Sequence, residues 1–151
     1  MIKSETGSVS INSPYEGIDW SSFGQYKAAL HVHSTNSYGD VNAVVSLTQM
    51  IEHHYGRDYD ILAVTEHNYT TVDWVNDMNG VTQERLNEIT SGTGRSGRGM
   101  LRIPLTNEQS EIDGGREHLG SFFIDYNNKP GATLEETINT VQQMGGISII
   151  T

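Results

Sequence analysis

Two histidines, one residue apart, stand at the end of a short apolar run in the segment AALHVHSTNSYGD, residues 28–40. In an extended strand His31 and His33 point to the same face, so both imidazoles can bind one metal ion. The alternative is two ordinary polar positions on a half-exposed strand, because an isolated His-x-His pair often arises by chance. The other histidines and carboxylates of the chain decide between these interpretations.

Further histidines and carboxylates follow two other apolar runs. Glu66 and His67 close the run YDILAVTEH, and Glu108 comes soon after MLRIPL. In α/β proteins, functional side chains gather at the carboxyl ends of parallel strands, so we expect these side chains to meet. Imidazole and carboxylate ligands suit Zn, Mn or Fe, whereas Mg prefers a site made of oxygen atoms.

The composition narrows the class of protein. The 151 residues fit one domain and include no cysteine, which excludes disulfides, thiolate metal sites and cysteine nucleophiles. A net charge of -10 argues against a general nucleic-acid surface and against attraction to anionic membranes. No apolar run approaches the roughly 20 residues of a membrane span, and the N-terminus lacks a signal-peptide core. We therefore expect a soluble, cytoplasmic protein, or a secreted one if a leader has been removed.

The elements that must position these side chains follow from apolar periodicity and capping residues. The predicted strands are YKAALHVH, YDILAVTEH, MLRIPLTNEQS, HLGSFFIDYN and ISII, and the predicted helices are VNAVVSLTQMIEHHYG, residues 70–91 in two pieces, and a last helix that ends at Gly145-Gly146. The last helix begins at Thr133, which is spaced from Glu136 as in a capping box. Residues 1–24 are predicted to form a loosely ordered arm. The order of the elements predicts an α/β domain over residues 25–151 with a mainly parallel sheet.

A glycine-rich loop offers a different chemistry. Residues 92–97, GTGRSG, match the dinucleotide-binding fingerprint in their letters. That fingerprint works where the loop follows a strand and opens a helix, whereas this loop follows a predicted helix. We interpret it as a flexible loop and keep a nucleotide-binding module as the third of three functional hypotheses.

Four motifs together resemble those of the polymerase and histidinol phosphatase (PHP) family, in the same order and at similar spacing. They are HVHSTNSYGD, AVTEHN, IPLTNEQS and EHLGSFF. The resemblance covers residues 26–151 and implies a distorted TIM-like (β/α)7 barrel with up to three divalent ions at the strand ends. In that family the strand resembling GISII leads into a His-Pro motif and, later, an Asp-x-His motif. We therefore expect an incomplete barrel, truncated at its C-terminus.

The resemblance implies a role for the residues at the first two metal ions. His31 and His33 are expected to bind the first ion. Glu108 is expected to bridge the first and second ions, and His118 to bind the second.

The third ion and the catalytic roles follow from the same resemblance. Asp40 and His67 are expected to bind the third ion. Glu66 stands where an aspartate is common in the family, and it either binds metal or orients its neighbours. Glu108 and His67 are the residues expected to serve in catalysis.

Ligands of this kind support the hydrolysis of phosphoesters. Metal ions that share a carboxylate convert a water into hydroxide, bind a phosphoryl oxygen and stabilise the leaving oxygen. The expected function is therefore hydrolysis of a phosphoester by a metal-bound hydroxide, with a small phosphorylated molecule or a nucleotide as substrate. The alternative is a metal-binding or regulatory PHP fragment without catalytic turnover.

Overall fold

The computed structural model describes residues 13–37, 43–127 and 130–151, which form two three-stranded sheets and three α-helices. The first sheet is parallel, in the order β1 (Ala28–Ala29), β2 (Ile61–Leu62) and β3 (Leu101–Arg102). The second sheet is antiparallel, in the order β4 (Thr106–Ile112), β5 (Glu117–Phe122) and β6 (Ile147–Ile150). The helices are α1 (Leu47–Tyr55), α2 (Gln83–Ser91) and α3 (Leu134–Gln143). Within the described ranges, every helix is too short and too polar to cross a membrane.

The predicted TIM-like barrel is wrong. The strands of the described residues form two separate sheets that do not close, and only one of these sheets is parallel. The division falls inside the run that we predicted as one strand, MLRIPLTNEQS. Pro104 has no backbone N–H to donate to a neighbouring strand, and Leu105 has a φ of 51°. The chain therefore leaves the parallel sheet after β3 and turns into the antiparallel sheet at β4.

Helices α1 and α2 bury the first sheet under a shared apolar core. Its buried members are Leu47, Ile51, Tyr55, Leu62, Val64, Trp74, Val81, Ile89 and Met100. A capping box starts α1, because the Ser46 hydroxyl accepts from the Gln49 N–H while the Gln49 side chain accepts from the Ser46 N–H.

Helix α3 covers a second, smaller core on the antiparallel sheet. The buried residues of this core are Ile112, Leu119, Ile124 and Val141. The predicted capping box at its start is confirmed: the Thr133 hydroxyl accepts from the Glu136 N–H, and the Glu136 carboxylate accepts from the Thr133 N–H.

The helix predicted over residues 70–91 forms only in its second piece, α2. In the first piece, the carboxylate of Asp77 accepts from the backbone N–H groups of Val72, Asp73 and Trp74 at 2.7 to 3.0 Å. A side chain that accepts from these donors competes with helical hydrogen bonds. Trp74 is buried at a φ of 65°, so the apolar spacing in this piece serves a turn and not a helix.

The predicted N-terminal arm is described from residue 13 onward. It forms turns and a short 3-10 helix, Trp20–Ser22. The rings of Tyr15, Trp20 and Phe23 contact one another in sequence, with centroid distances of 5.7 and 6.0 Å. All three rings are largely exposed, so this segment packs into neither core.

An ion pair fastens the glycine-rich loop to the parallel sheet. Asp60, directly before β2, accepts two hydrogen bonds from Arg98 at 2.6 Å and one from the Lys27 backbone N–H at 2.8 Å. Arg95 within the loop donates to the carbonyl of Tyr59 at 2.7 Å. The loop that we interpreted as flexible is therefore anchored to the sheet by Arg95. The guanidinium of Arg95 is already engaged in this contact.

The ion pair predicts a pH-dependent stability. The hydrogen bonds from Arg98 and Lys27 lower the pKa of Asp60 from 3.8 to about 2. A carboxyl with a depressed pKa stabilises the fold above its unfolded value, and this contribution is lost as the pH falls through the folded value. We therefore expect Asp60→Asn to lower the urea midpoint clearly at pH 6, and the gap to wild type to narrow between about pH 4 and pH 2.

A neighbouring aspartate provides the control for this measurement. Asp58 also lies close to Arg95, at 3.2 Å, but its side chain is 75% exposed. Because exposed ion pairs contribute little, Asp58→Asn should leave the urea midpoint nearly unchanged at every pH. A gap for Asp60→Asn that stayed constant down to pH 2 would count against the ion pair.

Candidate metal centre

Glu108 lies at the centre of four histidine side chains. His31 and His33 follow β1, His67 follows β2, and His118 lies in β5. Glu108 itself lies in β4 and is 2% exposed. Four predicted histidine ligands, from three separate chain segments, therefore meet around one buried carboxylate.

Backbone pairing beyond the regular strands brings these residues together. His67 and Glu108 form an isolated parallel bridge, and the Glu108 N–H donates to the carbonyl of Glu66 at 2.9 Å. The segment after β2 also pairs with the segment after β1. The Thr65 N–H donates to the carbonyl of Val32 at 2.9 Å, and Val32 lies between His31 and His33. The chain segments after β1 and β2 thus lie side by side next to β4.

Three imidazole nitrogens converge on a single oxygen of Glu108. The Nε2 atoms of His31, His33 and His67 lie 3.2, 3.0 and 3.0 Å from Oε2. The Nε2 atoms of His31 and His33 lie 2.9 Å from each other, so these two rings point to the same place. The other carboxylate oxygen, Oε1, lies 2.9 Å from Nδ1 of His118. Both oxygens of Glu108 therefore have imidazole neighbours.

The five side chains form two groups of candidate ligands that share Glu108. His31, His33 and Glu108 form the first group, and His67, Glu108 and His118 form the second; the ligand atoms of each group lie within 4.8 Å of one another. Two ligands bound at 2.0–2.1 Å to one zinc ion at the tetrahedral angle are about 3.3 Å apart. The ligand atoms of the first group are 2.9 to 3.2 Å apart, which is close to that spacing.

The environment of Oε2 of Glu108 also favours a bound ion. Oε2 of Glu108 makes no hydrogen bond of standard geometry with any described residue, although three imidazoles surround it. A buried carboxylate oxygen without a hydrogen bond destabilises the fold unless a ligand or an ion interacts with it. The buried His/Glu groups could therefore hold a metal ion.

The electrostatics of the cluster favour the protonation states that bind metal. Burial raises the pKa of Glu108, but interactions with His33, Thr151, His31 and His118 outweigh it and hold the pKa at about 2. Burial lowers the pKa of His31 below 6.5, Glu108 opposes this change, and the neighbouring imidazoles lower the pKa further. Near neutral pH the cluster offers an anionic carboxylate and a neutral His31 imidazole, the forms that coordinate metal ions.

The histidine ligands differ in their access to solvent. The side chain of His31 is 40% exposed, whereas that of His67 is 5% exposed. The side chain of His118 in the second group is 30% exposed, so solvent reaches the cluster at His31 and at His118. A small ligand would reach the cluster from the side of His31 or of His118, and not past the buried His67.

The outcome differs for the two remaining predicted ligands, Asp40 and Glu66. Asp40 lies outside the described residues, and its role at a third ion stays a prediction. Glu66 is completely buried and belongs to neither group; its carboxylate accepts hydrogen bonds from Ser34 and Ser37. His67, which we expected at the third ion, lies with Glu108 and His118 in the second group.

Two hydroxyl groups that were not among the predicted site residues contact the candidate ligands. Thr151 donates to Oε1 of Glu108 at 2.8 Å, and Ser37 lies 3.3 Å from Nδ1 of His33. Thr151 carries no sequence signal, because it approaches Glu108 only through the pairing of β6 with β5. Ser37 does carry one, since it follows His33 by four residues in a loop of small polar residues.

No family model matches the chain, and no curated protein matches it.

Proposed function

We propose that this protein is a metal-dependent phosphoesterase related to the PHP family, with two divalent ions bound on either side of Glu108. The observation that carries this proposal is the convergence of four imidazoles, from three chain segments, on one buried carboxylate. Imidazole-rich ligand sets favour Zn, Mn or Fe over Mg. The support comes from these side chains and not from a barrel.

Each residue of the cluster has a distinct task in this function. Divalent ions bound there supply Lewis acidity, which lowers the pKa of water and neutralises charge on a phosphoryl group. Glu108 is shared by both ligand groups and stays ionised, because its pKa is about 2. His31 and His118 border solvent, so a phosphoryl group would approach from their side, whereas His67 is buried on the inner side of the cluster.

The charge of the loaded site explains how an acidic protein accepts a phosphate. The chain has a net charge of -10, which repels anions at a distance. Two dications and one carboxylate give the cluster a local charge of about +3, which reverses the field close to the site. A small phosphorylated molecule or a nucleotide fits this arrangement better than a nucleic-acid polymer, whose long backbone would contact the acidic surface.

Metal analysis combined with an activity assay tests the proposal. We expect purified protein to retain metal by mass spectrometry and to hydrolyse p-nitrophenyl phosphate or bis(p-nitrophenyl) phosphate. EDTA should abolish turnover, and Mn²⁺ or Zn²⁺ should restore it. His33→Ala should lose most of the activity, because it deletes a ligand of the first group.

His53→Ala is the matched control. His53 is an exposed imidazole near the end of α1, outside both ligand groups, so its removal should change neither metal content nor turnover. Metal binding without turnover would overturn the phosphoesterase proposal and favour the alternative of a metal-binding protein. Protein that takes up no metal would overturn both.

A further inference from the structure

Glu66 is a buried carboxylate beside the metal centre that belongs to neither ligand group. It is completely buried, and its own backbone carbonyl accepts from the N–H of Glu108. The backbone N–H of Ser34 donates to Oε2 of Glu66 at 2.9 Å, and the hydroxyl of Ser34 donates to Oε1. Ser37 donates its hydroxyl to Oε2 at 2.6 Å. All three donors lie in the loop that follows His33, so Glu66 fastens this loop to the segment after β2.

The hydroxyl of Ser37 also contacts both ligand groups. A hydroxyl has one proton and two lone pairs, and Ser37 donates its proton to Glu66. One lone pair accepts from the backbone N–H of His67 at 2.9 Å. The other is left to face Nδ1 of His33, at 3.3 Å.

These three contacts of the Ser37 hydroxyl set the tautomer of His33. A lone pair on Ser37 is matched only if Nδ1 of His33 carries a proton. When the neutral ring binds a metal ion, its lone pair is then on Nε2, the atom that lies 3.0 Å from Oε2 of Glu108. His33 is thereby held with its coordinating nitrogen directed into the first ligand group.

We infer that Glu66 is a positioning residue of the metal centre, which acts through Ser37 to hold His33 ready to bind metal through Nε2. This inference rests on the proposed metal-dependent function. Histidine ligands usually donate their second N–H to an outer partner, which fixes the ring orientation and raises its basicity. Here the same hydroxyl also holds the backbone of His67, so one serine orients a ligand in each group.

Zinc affinity measured by competition with a chromophoric chelator tests the inference. Loss of an outer partner typically weakens metal binding about 10- to 100-fold, and we expect a loss of this size for Ser37→Ala and for Glu66→Gln. Ser37→Thr keeps the hydroxyl and should bind Zn²⁺ nearly as tightly as wild type. Circular dichroism of each variant checks that it is folded.

A second readout follows the ring of His33 itself. In zinc-loaded, ¹⁵N-labelled wild type, the Nδ1 proton of His33 should exchange slowly with water, because Ser37 accepts it. In Ser37→Ala that proton should exchange faster. A purely structural role for Ser37 would not change this signal.

Ser34→Ala is the matched control, because it removes a hydrogen bond to the same carboxylate and no contact with a ligand. It should keep wild-type zinc affinity and slow exchange at His33. Wild-type protein that binds no zinc would overturn the proposed function itself. Wild type that binds zinc, with Ser37→Ala equal to it in affinity and exchange, or Ser34→Ala equally impaired, would overturn the role of Glu66 alone.

Discussion

Glu108→Gln is expected to remove both metal ions at once. Glu108 is the only residue common to the two ligand groups of the described structure, and both of its oxygens have imidazole neighbours. An amide carries no charge, and its nitrogen cannot coordinate a cation, so one group loses its oxygen ligand and neither dication is neutralised. Affinity should fall by more than the roughly 10- to 100-fold typical of an outer partner. Metal analysis after dialysis should find almost none, and turnover should fall to background.

Two further variants make this expectation specific. Glu111→Gln is the same substitution on the same strand, β4, at an exposed position, and it should retain metal and turnover. Glu108→Asp keeps the charge but shortens the side chain, so it should bind metal more weakly than wild type and more tightly than Glu108→Gln. A folded Glu108→Gln protein that still held two equivalents of metal would exclude Glu108 as the shared ligand.

Four of the five candidate ligands could be predicted from sequence because they lie near the end of an apolar run, whereas His118 precedes such a run and was predicted only from the resemblance of its motif. Parallel pairing carries the chain past β2 to His67, which lies beside Glu108. The pair His31 and His33 points to one place, as expected for alternate residues of extended chain. The resemblance left two roles open for Glu66, binding metal or orienting its neighbours, and the choice between them depends on hydrogen bonds from a loop without periodicity.

The fold was harder to predict because two local features override the apolar pattern. Pro104 and Leu105 divide one apolar run between two sheets of opposite pairing, and periodicity does not register such a turn. Asp77 takes the backbone donors that a helix over residues 70–79 would need. Where caps and periodicity agree, as at Thr133 and α3, the prediction is confirmed.

Bound metal ions are expected to raise the melting temperature of the protein substantially. Ions that bind only the folded chain stabilise it by mass action, by about 4 kcal/mol for each site at a concentration of 1,000 times its Kd. In a protein of this size, 1 kcal/mol shifts the melting temperature by about 2–4 °C, so one saturated site should raise it by about 8–16 °C. The gain is expected because Glu108 is buried with an unsatisfied oxygen that a bound ion would satisfy. Differential scanning calorimetry with EDTA and with increasing Zn²⁺ measures it.

The way in which the melting temperature depends on the Zn²⁺ concentration distinguishes a specific metal site from general effects of ions. Stabilisation through a specific site grows with the logarithm of the Zn²⁺ concentration once that site is saturated. Ca²⁺ prefers six to eight oxygen ligands, so it should produce almost no shift at an imidazole-rich cluster. Glu108→Gln should melt at the same temperature with and without Zn²⁺, because its shared ligand is gone. Equal melting temperatures for wild type in EDTA and in saturating Zn²⁺ would mean that the histidines meet around Glu108 without binding zinc.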